Sequence, residues 1–148
     1  MINAYLCHHI RGPKGDASTP EERDQNRADA VRVADNITLS IDNFMPGINI
    51  YCPGNNDTWV EVAYARKILT MDKILEIDCA IIDTMDCMLV YDKYKGHSRS
   101  SGMKTEIDHC EKVGVPVFSF EIDGVQPSMW CIEQIAKFIN SLKERTNV

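Results

Sequence analysis

The sequence predicts one α/β domain in which a parallel sheet of four to five strands is flanked by helices. Short apolar runs alternate along the chain with longer segments whose apolar residues recur at helical spacing, an alternation typical of parallel sheets. One run, from Cys87 to Tyr91, is continuously apolar, as expected of a strand covered on both faces. No linker, repeat or low-complexity stretch interrupts the 148 residues, so we expect a single Rossmann-like (flavodoxin-like) domain over 1–148.

Four apolar runs are predicted as strands because each ends at a turn or loop signal. They cover residues 3–7, 48–51, 87–91 and 115–120. Helices are predicted between and after these strands, over 20–43, 57–68, 72–85, 102–113 and 127–142. The first helix has a capping box formed by Thr19 and Glu22, with Pro20 at its first position. Ligands of such sheets bind beyond the carboxyl ends of the strands, so the loops at 8–13 and 92–102 are expected to form the site.

Composition and charge predict a cytoplasmic protein that binds neither polymeric nucleic acid nor a membrane. The formal net charge is −6, and lysines and arginines are scattered without the basic patch expected of nucleic-acid-binding proteins. No apolar run approaches the roughly 20 residues needed to span a membrane. The six cysteines form no C-x-x-C pair and no signal peptide is recognisable, so we expect free, buried thiols. An acidic protein can still hold a small anion with one arginine and a helix N-terminus.

Two carboxylates fall on the apolar faces of predicted helices. Asp78 lies within an apolar stripe that consists of Ile74, Ile77, Ile81, Ile82 and Met85. Glu106 lies three residues after Met103 and four before Cys110, in the first turns of its helix, where the helix dipole favours an anion. Each acid alone is compatible with an exposed position at the edge of a helix. Otherwise each is kept from water and is paired or functional.

Four short segments occur in the order that is found in one enzyme family. Residues 5–12, Tyr-Leu-Cys-His-His-Ile-Arg-Gly, resemble a Y-x-C-G-S-I-R-G motif, and Asp78 and Asp86 fit a D-x7-D spacing. Residues 100–106 fit S-x-G-x-x-x-E, and residues 114–117 resemble the G-K-P-V that follows it. With these segments the chain resembles the nucleoside 2-deoxyribosyltransferase-like superfamily, specifically its nucleoside 5′-monophosphate N-glycosidase branch. That branch includes the 5-hydroxymethyl-dUMP N-hydrolases and the CMP N-glycosidases.

The resemblance implies that the chain hydrolyses the N-glycosidic bond of a (deoxy)ribonucleoside 5′-monophosphate, with a pyrimidine as the nearest expectation. Glu106 would attack the anomeric carbon and form a covalent glycosyl-enzyme, which water then opens. Asp78 would assist the leaving base, and Tyr5 would hold Glu106 through a hydrogen bond. No cofactor or metal is implied. The family's sites are completed across a subunit interface, so a homodimer is expected.

A phosphate site is implied by the same resemblance. Its expected residues are His9, Ile10, Arg11, Gly12, Ser100, Gly102 and Ser128. Ser100 replaces an aspartate typical of transferases that act on unphosphorylated nucleosides, and a serine donates to a phosphate that an aspartate would repel. Ser128 would reach the phosphate of the neighbouring subunit. His8-His9 departs from the family's Gly-Ser, so His9 is the candidate donor there, and the long 13–20 insert is a candidate lid over the base.

Other functions are weighed on the same residues. Glu106 and His109 form an E-x-x-H, but di-iron chemistry needs a second such motif in a helical bundle, and His8, His9 and His97 lack zinc spacing. The first loop lacks the G-x-G-x-x-G of dinucleotide-binding proteins. A base-exchanging transferase and a non-catalytic nucleotide-binding or sensing module stay open as alternatives. Two roles also stay open for three aromatic residues, which either stack on a base or belong to the core: Tyr51, Trp59 and Trp130.

Overall fold

Four parallel strands form the sheet at the centre of the molecule, whose computed structural model describes residues 1–44, 47–94 and 98–146. The strands are β1 Ile2–His8, β2 Ile48–Tyr51, β3 Cys87–Tyr91 and β4 Val117–Phe120. They lie in the order β2-β1-β3-β4, and every neighbouring pair is parallel. The predicted Rossmann-like α/β class with four to five strands is therefore confirmed. Gly96 and His97, which belong to the predicted loop at 92–102, lie outside the described residues.

Five α-helices connect or follow the strands in the described part of the chain. They are α1 Pro20–Ile41, α2 Asp57–Ala65, α3 Met71–Ile82, α4 Ser101–Val113 and α5 Met129–Thr146. The predicted capping box of α1 is present, since Thr19 and Glu22 exchange hydrogen bonds between side chain and backbone. Helix α2 ends earlier than predicted because Lys67 has a left-handed backbone with φ of 58°, and Ile68, the last residue of the predicted helix, is exposed beyond it.

Helices cover both faces of the sheet, and side chains of β1 alternate between the two cores. Ala4 and Leu6 pack with α1 and α5 in the larger core, which also contains Val33, Ala34, Ile37 and Ile41 of α1. Tyr5 and Cys7 face the other side and pack with α3 and α4. The period of two along a strand thus places the Tyr5 ring and the Cys7 thiol beneath the helix that carries Glu106.

The ends of the elements explain two further residues of the sequence motifs. Asp86 lies at the amino end of the sheet, where its carboxylate accepts a hydrogen bond of 2.8 Å from the backbone N–H of Asn3. Gly114 ends α4 in a left-handed conformation with φ of 81°, which a glycine adopts without strain. Both therefore have structural roles away from the carboxyl ends of the strands. All six cysteines are free, as predicted. No helix within the described ranges is long and apolar enough to cross a membrane.

Candidate active site

A cavity of about 600 Å³ opens at the carboxyl ends of β1 and β2, between the insert before α1 and helices α2, α3 and α4. This is the edge of the sheet at which parallel α/β domains bind ligands. Six of the ten predicted site residues line it: Ile10, Arg11, Asp78, Ser100, Gly102 and Glu106. The structure thus brings together residues that lie up to 96 positions apart in the sequence.

Helix α4 directs its N-terminus toward the cavity. Ser100 is the N-cap, and its hydroxyl accepts a hydrogen bond of 3.3 Å from the backbone N–H of Met103. The hydroxyl proton of Ser100 stays available to a ligand, because accepting a bond leaves its donor free. Gly102 also lines the cavity, and a Cβ atom there would lie in ordinary contact with Leu75, at 3.7 Å. The first turn of α4 therefore has the character of an anion site.

Glu106 lies one turn further along α4, half-buried at the cavity wall. Burial and the neighbouring Asp78 carboxylate raise the pKa of Glu106 to about 8, and the Cys7 thiol and Tyr5 hydroxyl oppose this rise. Asp57 contributes in the same direction as Asp78. Near neutral pH this side chain holds its proton far more tightly than an exposed glutamate does.

Asp78 faces the same cavity from α3. Burial, with a contribution from Asp57, raises the pKa of Asp78 to about 6. Two carboxyls with raised pKa values on packed helices share one proton around neutral pH, so the pair carries one negative charge. Such a pair offers a carboxylate and a carboxylic acid in one cavity.

Ile77, the residue before Asp78, is 38% exposed and lines the cavity, whereas the predicted apolar stripe of this helix placed it in the core.

Tyr5 lies under the cavity floor, fully buried, with its ring stacked on that of Tyr51 at a centroid distance of 5.6 Å. The Tyr5 hydroxyl makes no hydrogen bond of regular geometry to a described residue, and its predicted bond to Glu106 is a looser contact that lowers the pKa of this carboxyl. The two groups are nevertheless close, because the Glu106 charge contributes to the rise in the pKa of Tyr5 and Tyr5 lowers the pKa of Glu106.

His9 is directed away from the cavity. It is 3% exposed, its ring packs edge-on against Tyr94 at 5.2 Å, and its Nε2 lies 3.9 Å from the Asp92 carboxylate. Asp92 is held in turn by a two-point contact with Arg99. His8 lines the cavity instead, and burial lowers its pKa to about 4, so this imidazole is neutral. His9, the residue of the first loop that was expected to donate to a phosphate, therefore does not line the cavity.

Gly12 and Ser128 also lie outside the cavity lining. Gly12 has φ of 69°, and a Cβ atom there would come within 2.8 Å of the Tyr94 ring, so this glycine is required by packing. Ser128 is exposed and caps α5, where its hydroxyl accepts a hydrogen bond from the backbone N–H of Cys131. Within one chain neither residue takes part in the predicted phosphate site.

Arginines from the first loop and from α1 line the cavity. Arg11 is paired with Asp16 of the insert, and both side chains line the cavity. Arg23, which sequence reasoning missed, is anchored by a hydrogen bond of 2.6 Å to the backbone carbonyl of Ser18. Of the described cavity arginines, Arg23 alone has no carboxylate partner. It therefore supplies uncompensated positive charge to a cavity that otherwise contains several acids.

Arg27 and Asp57 form a buried ion pair in the wall of the cavity that the sequence did not reveal. The Arg27 Nε donates to Asp57 Oδ2 at 2.9 Å, and the same guanidinium contacts Asp24 and Glu61. The only sequence signal at Asp57 was its position at the start of a helix, where an acid is ordinary. Its burial depends on an arginine that lies 30 residues away in the sequence.

The three candidate stacking residues fall in different environments. Tyr51 and Trp59 both line the cavity, and Trp59 is 53% exposed. Trp130 is 70% exposed on α5 and lies outside the cavity lining. An aromatic surface is therefore available to a ligand on the α2 side of the cavity.

The described residues contain no group of three or more His, Cys, Asp or Glu side chains that could hold a metal ion. His109, the last residue of the E-x-x-H segment, pairs instead with Asp83 at 2.6 Å across α3 and α4. Comparison with known protein families, with curated proteins and with solved structures found no match to this chain.

Proposed function

We propose that this protein hydrolyses the N-glycosidic bond of a nucleoside 5′-monophosphate, releasing the free base and a sugar 5-phosphate. The observation that carries the proposal is the carboxyl pair of Glu106 and Asp78, which share one cavity and have raised pKa values. Keeping two acids from water costs free energy, and such pairs are most common where acid and base chemistry occurs. The order of motifs in the sequence indicates the same reaction.

Glu106 is the proposed nucleophile. Its carboxylate attacks C1′ of the sugar, the bond to the base breaks, and the bonding electrons leave with the base, which takes up a proton. Water then attacks C1′ of the glycosyl ester, gives up a proton and releases Glu106. The single proton shared with Asp78 suits this reaction, since Asp78 receives it as Glu106 ionises and passes it to the leaving base.

The phosphate is proposed to bind at the N-terminus of α4. Ser100 donates its free hydroxyl proton, the backbone N–H groups at Gly102 and its neighbours point toward the anion, and the helix dipole favours it. Arg23 supplies a cation, and Arg11 does so once the phosphate displaces Asp16.

A cytoplasmic homodimer is part of the proposal. Ser128 can contact a phosphate only from a second copy, because in its own chain it lies outside the cavity. The next two residues support a contact surface there, since Met129 is 65% exposed and Trp130 is 70% exposed.

The proposal is tested by incubating the protein with ribo- and deoxyribonucleosides and their 5′-monophosphates and separating the products by chromatography. We expect free base from monophosphates alone, and none from the Glu106→Gln variant. Glu111→Gln is the matched control, because Glu111 lies on the same helix, exposed to solvent, and this variant should retain full activity. Release of no base from any nucleotide would overturn the proposal. Base exchange in the presence of a second free base would identify a transferase instead.

A further inference from the structure

One carboxylate of the cavity, that of Asp57, is unused by the proposed reaction. Its side chain is 9% exposed, so it is nine-tenths buried, yet it belongs to the cavity lining. Oδ2 accepts the hydrogen bond from Arg27, whereas Oδ1 has no hydrogen bond to a described residue. Oδ1 is not among the polar atoms sealed from solvent, so it is open to the cavity, and a ligand that donates to it gains a charge-assisted hydrogen bond.

Arg27 fixes the direction in which Asp57 presents this free oxygen. The guanidinium contacts Asp24, Asp57 and Glu61 from three of its nitrogens, so it cannot turn without breaking several ion pairs. Its side chain is only 13% exposed, which limits the water that could replace those contacts. Asp57 therefore offers a preorganised hydrogen-bond acceptor, which is what selection between similar ligands requires.

The sheet order places Asp57 and the proposed phosphate site on opposite sides of β1. Helix α2 follows β2 through the turn Pro53–Asn55, whereas α4 follows β3, and β1 lies between those two strands. Neighbouring strands are about 4.8 Å apart, so the two sites are separated by roughly 10 Å along the edge of the sheet. A nucleotide whose phosphate lies at α4 thus extends its base toward α2.

Aromatic side chains accompany Asp57 on that side. Trp59 follows two residues later in α2 and lines the cavity with half of its surface exposed, and Tyr51 at the end of β2 lines it as well. A flat heteroaromatic ring can stack on such surfaces while its edge reaches a fixed polar group.

We infer that Asp57 reads the hydrogen-bonding edge of the base and selects bases that carry an exocyclic amine over those that carry a carbonyl at the same position. An amine donates to the free Oδ1, whereas a carbonyl oxygen facing it would place two acceptors together. This inference rests on the proposed function, because it takes the ligand to be a nucleoside 5′-monophosphate. It adds the class of base that the site accepts.

The test measures binding rather than turnover, so that it is independent of the reaction. Titration calorimetry on the Glu106→Gln protein compares cytidine with uridine 5′-monophosphate and adenosine with inosine 5′-monophosphate. Within each pair the ligands differ chiefly in amine against carbonyl. We expect the amine-bearing member of the pair that binds to be favoured by about tenfold to a hundredfold.

An Asp57→Asn substitution in the same background should reverse the preference. Arg27 keeps hold of the side-chain oxygen, which turns the amide NH₂ toward the cavity, where it donates to a carbonyl. Asp24→Asn is the matched control, since Asp24 also contacts Arg27 but is 73% exposed and outside the cavity lining, and it should leave the preference unchanged.

Each outcome bears on the inference separately from the proposed function. Equal affinity within both pairs, or a preference for the carbonyl-bearing member, overturns it, as does failure to bind any of the four ligands. A preference that survives Asp57→Asn in a folded variant overturns the role of Asp57. If that variant does not fold, the preference measured with Asp57 present decides. Selective binding without base release by the unsubstituted protein would overturn the proposed reaction and leave the inference standing.

Discussion

Replacing Glu106 with glutamine should stabilise the protein, and by more at alkaline than at acidic pH. The Glu106 carboxyl has a pKa of about 8 in the folded protein against 4.5 in an exposed setting. The folded state therefore holds this proton where the unfolded chain has lost it, and stability falls as the pH rises from about 4.5 to about 8. Above the folded pKa the full cost of the buried charge is present. Glutamine has a similar shape and carries no charge at any pH.

The size of the effect follows from the part of that interval that an experiment spans. An experiment between about pH 6 and about pH 9 covers roughly two pH units below the folded-state pKa of Glu106. Over each of these units the unsubstituted protein loses about 1.36 kcal/mol of stability. Because the cavity opens to water at this side chain, we expect about 2 kcal/mol. Urea unfolding at the two pH values measures it, as a relative shift of the midpoint of roughly 1–2 M.

The quantity that decides is the change with pH in the stability difference between Glu106→Gln and the unsubstituted protein. A difference that is the same at both pH values would mean that Glu106 titrates like a solvated glutamate, and the reasoning about the carboxyl pair would be wrong. Glu111→Gln serves as the control, because this exposed residue of the same helix should give almost no difference at either pH.

Substitutions at three further positions have separate expected outcomes. Asp16→Asn removes the carboxylate that occupies Arg11, so KM for a monophosphate should fall severalfold in steady-state kinetics, and an unchanged KM would exclude Arg11 from phosphate binding. Gly12→Ala places a Cβ atom within 2.8 Å of the Tyr94 ring at φ of 69°, and thermal unfolding should show a loss of about 1–3 kcal/mol. Ser100→Asp keeps an N-cap for α4, so stability should change by less than about 0.5 kcal/mol while monophosphate turnover drops at least about tenfold. Ser100→Ala should instead lose about 1 kcal/mol, and equal turnover by the serine and aspartate proteins would remove Ser100 from the phosphate site.

The fold was predictable because its determinants are local. A short, continuously apolar run such as Cys87 to Tyr91 favours a buried strand, and the capping box at Thr19 and Glu22 fixes the start of α1. Helix ends were less predictable. The left-handed Lys67 that ends α2 has no glycine or asparagine to announce it.

The site was predictable where helical periodicity allows an acid on an inner face and a sequence motif singles it out, as for Glu106 and Asp78. It was not predictable where a role depends on tertiary contacts. His9 lies beside Asp92, whose carboxylate is held by Arg99 of the same loop after β3, and no local pattern around His9 encodes this contact. The burial of Asp57 was hidden for the same reason, since its partner Arg27 lies on a different helix.

The buried hydroxyl of Tyr5 favours the ionised form of Glu106. A buried O–H group without a well-formed hydrogen bond costs about 1–3 kcal/mol, and here the carboxyl of Glu106 is a weak acceptor while protonated and a strong one once ionised. A positive charge that develops on a bound sugar favours the ionised form of Glu106. The ionised carboxylate then accepts the hydrogen bond from Tyr5. The Tyr5 hydroxyl thus assists the ionised Glu106 at a cost to the stability of the folded protein. We therefore expect a Tyr5→Phe variant to be more stable and less active.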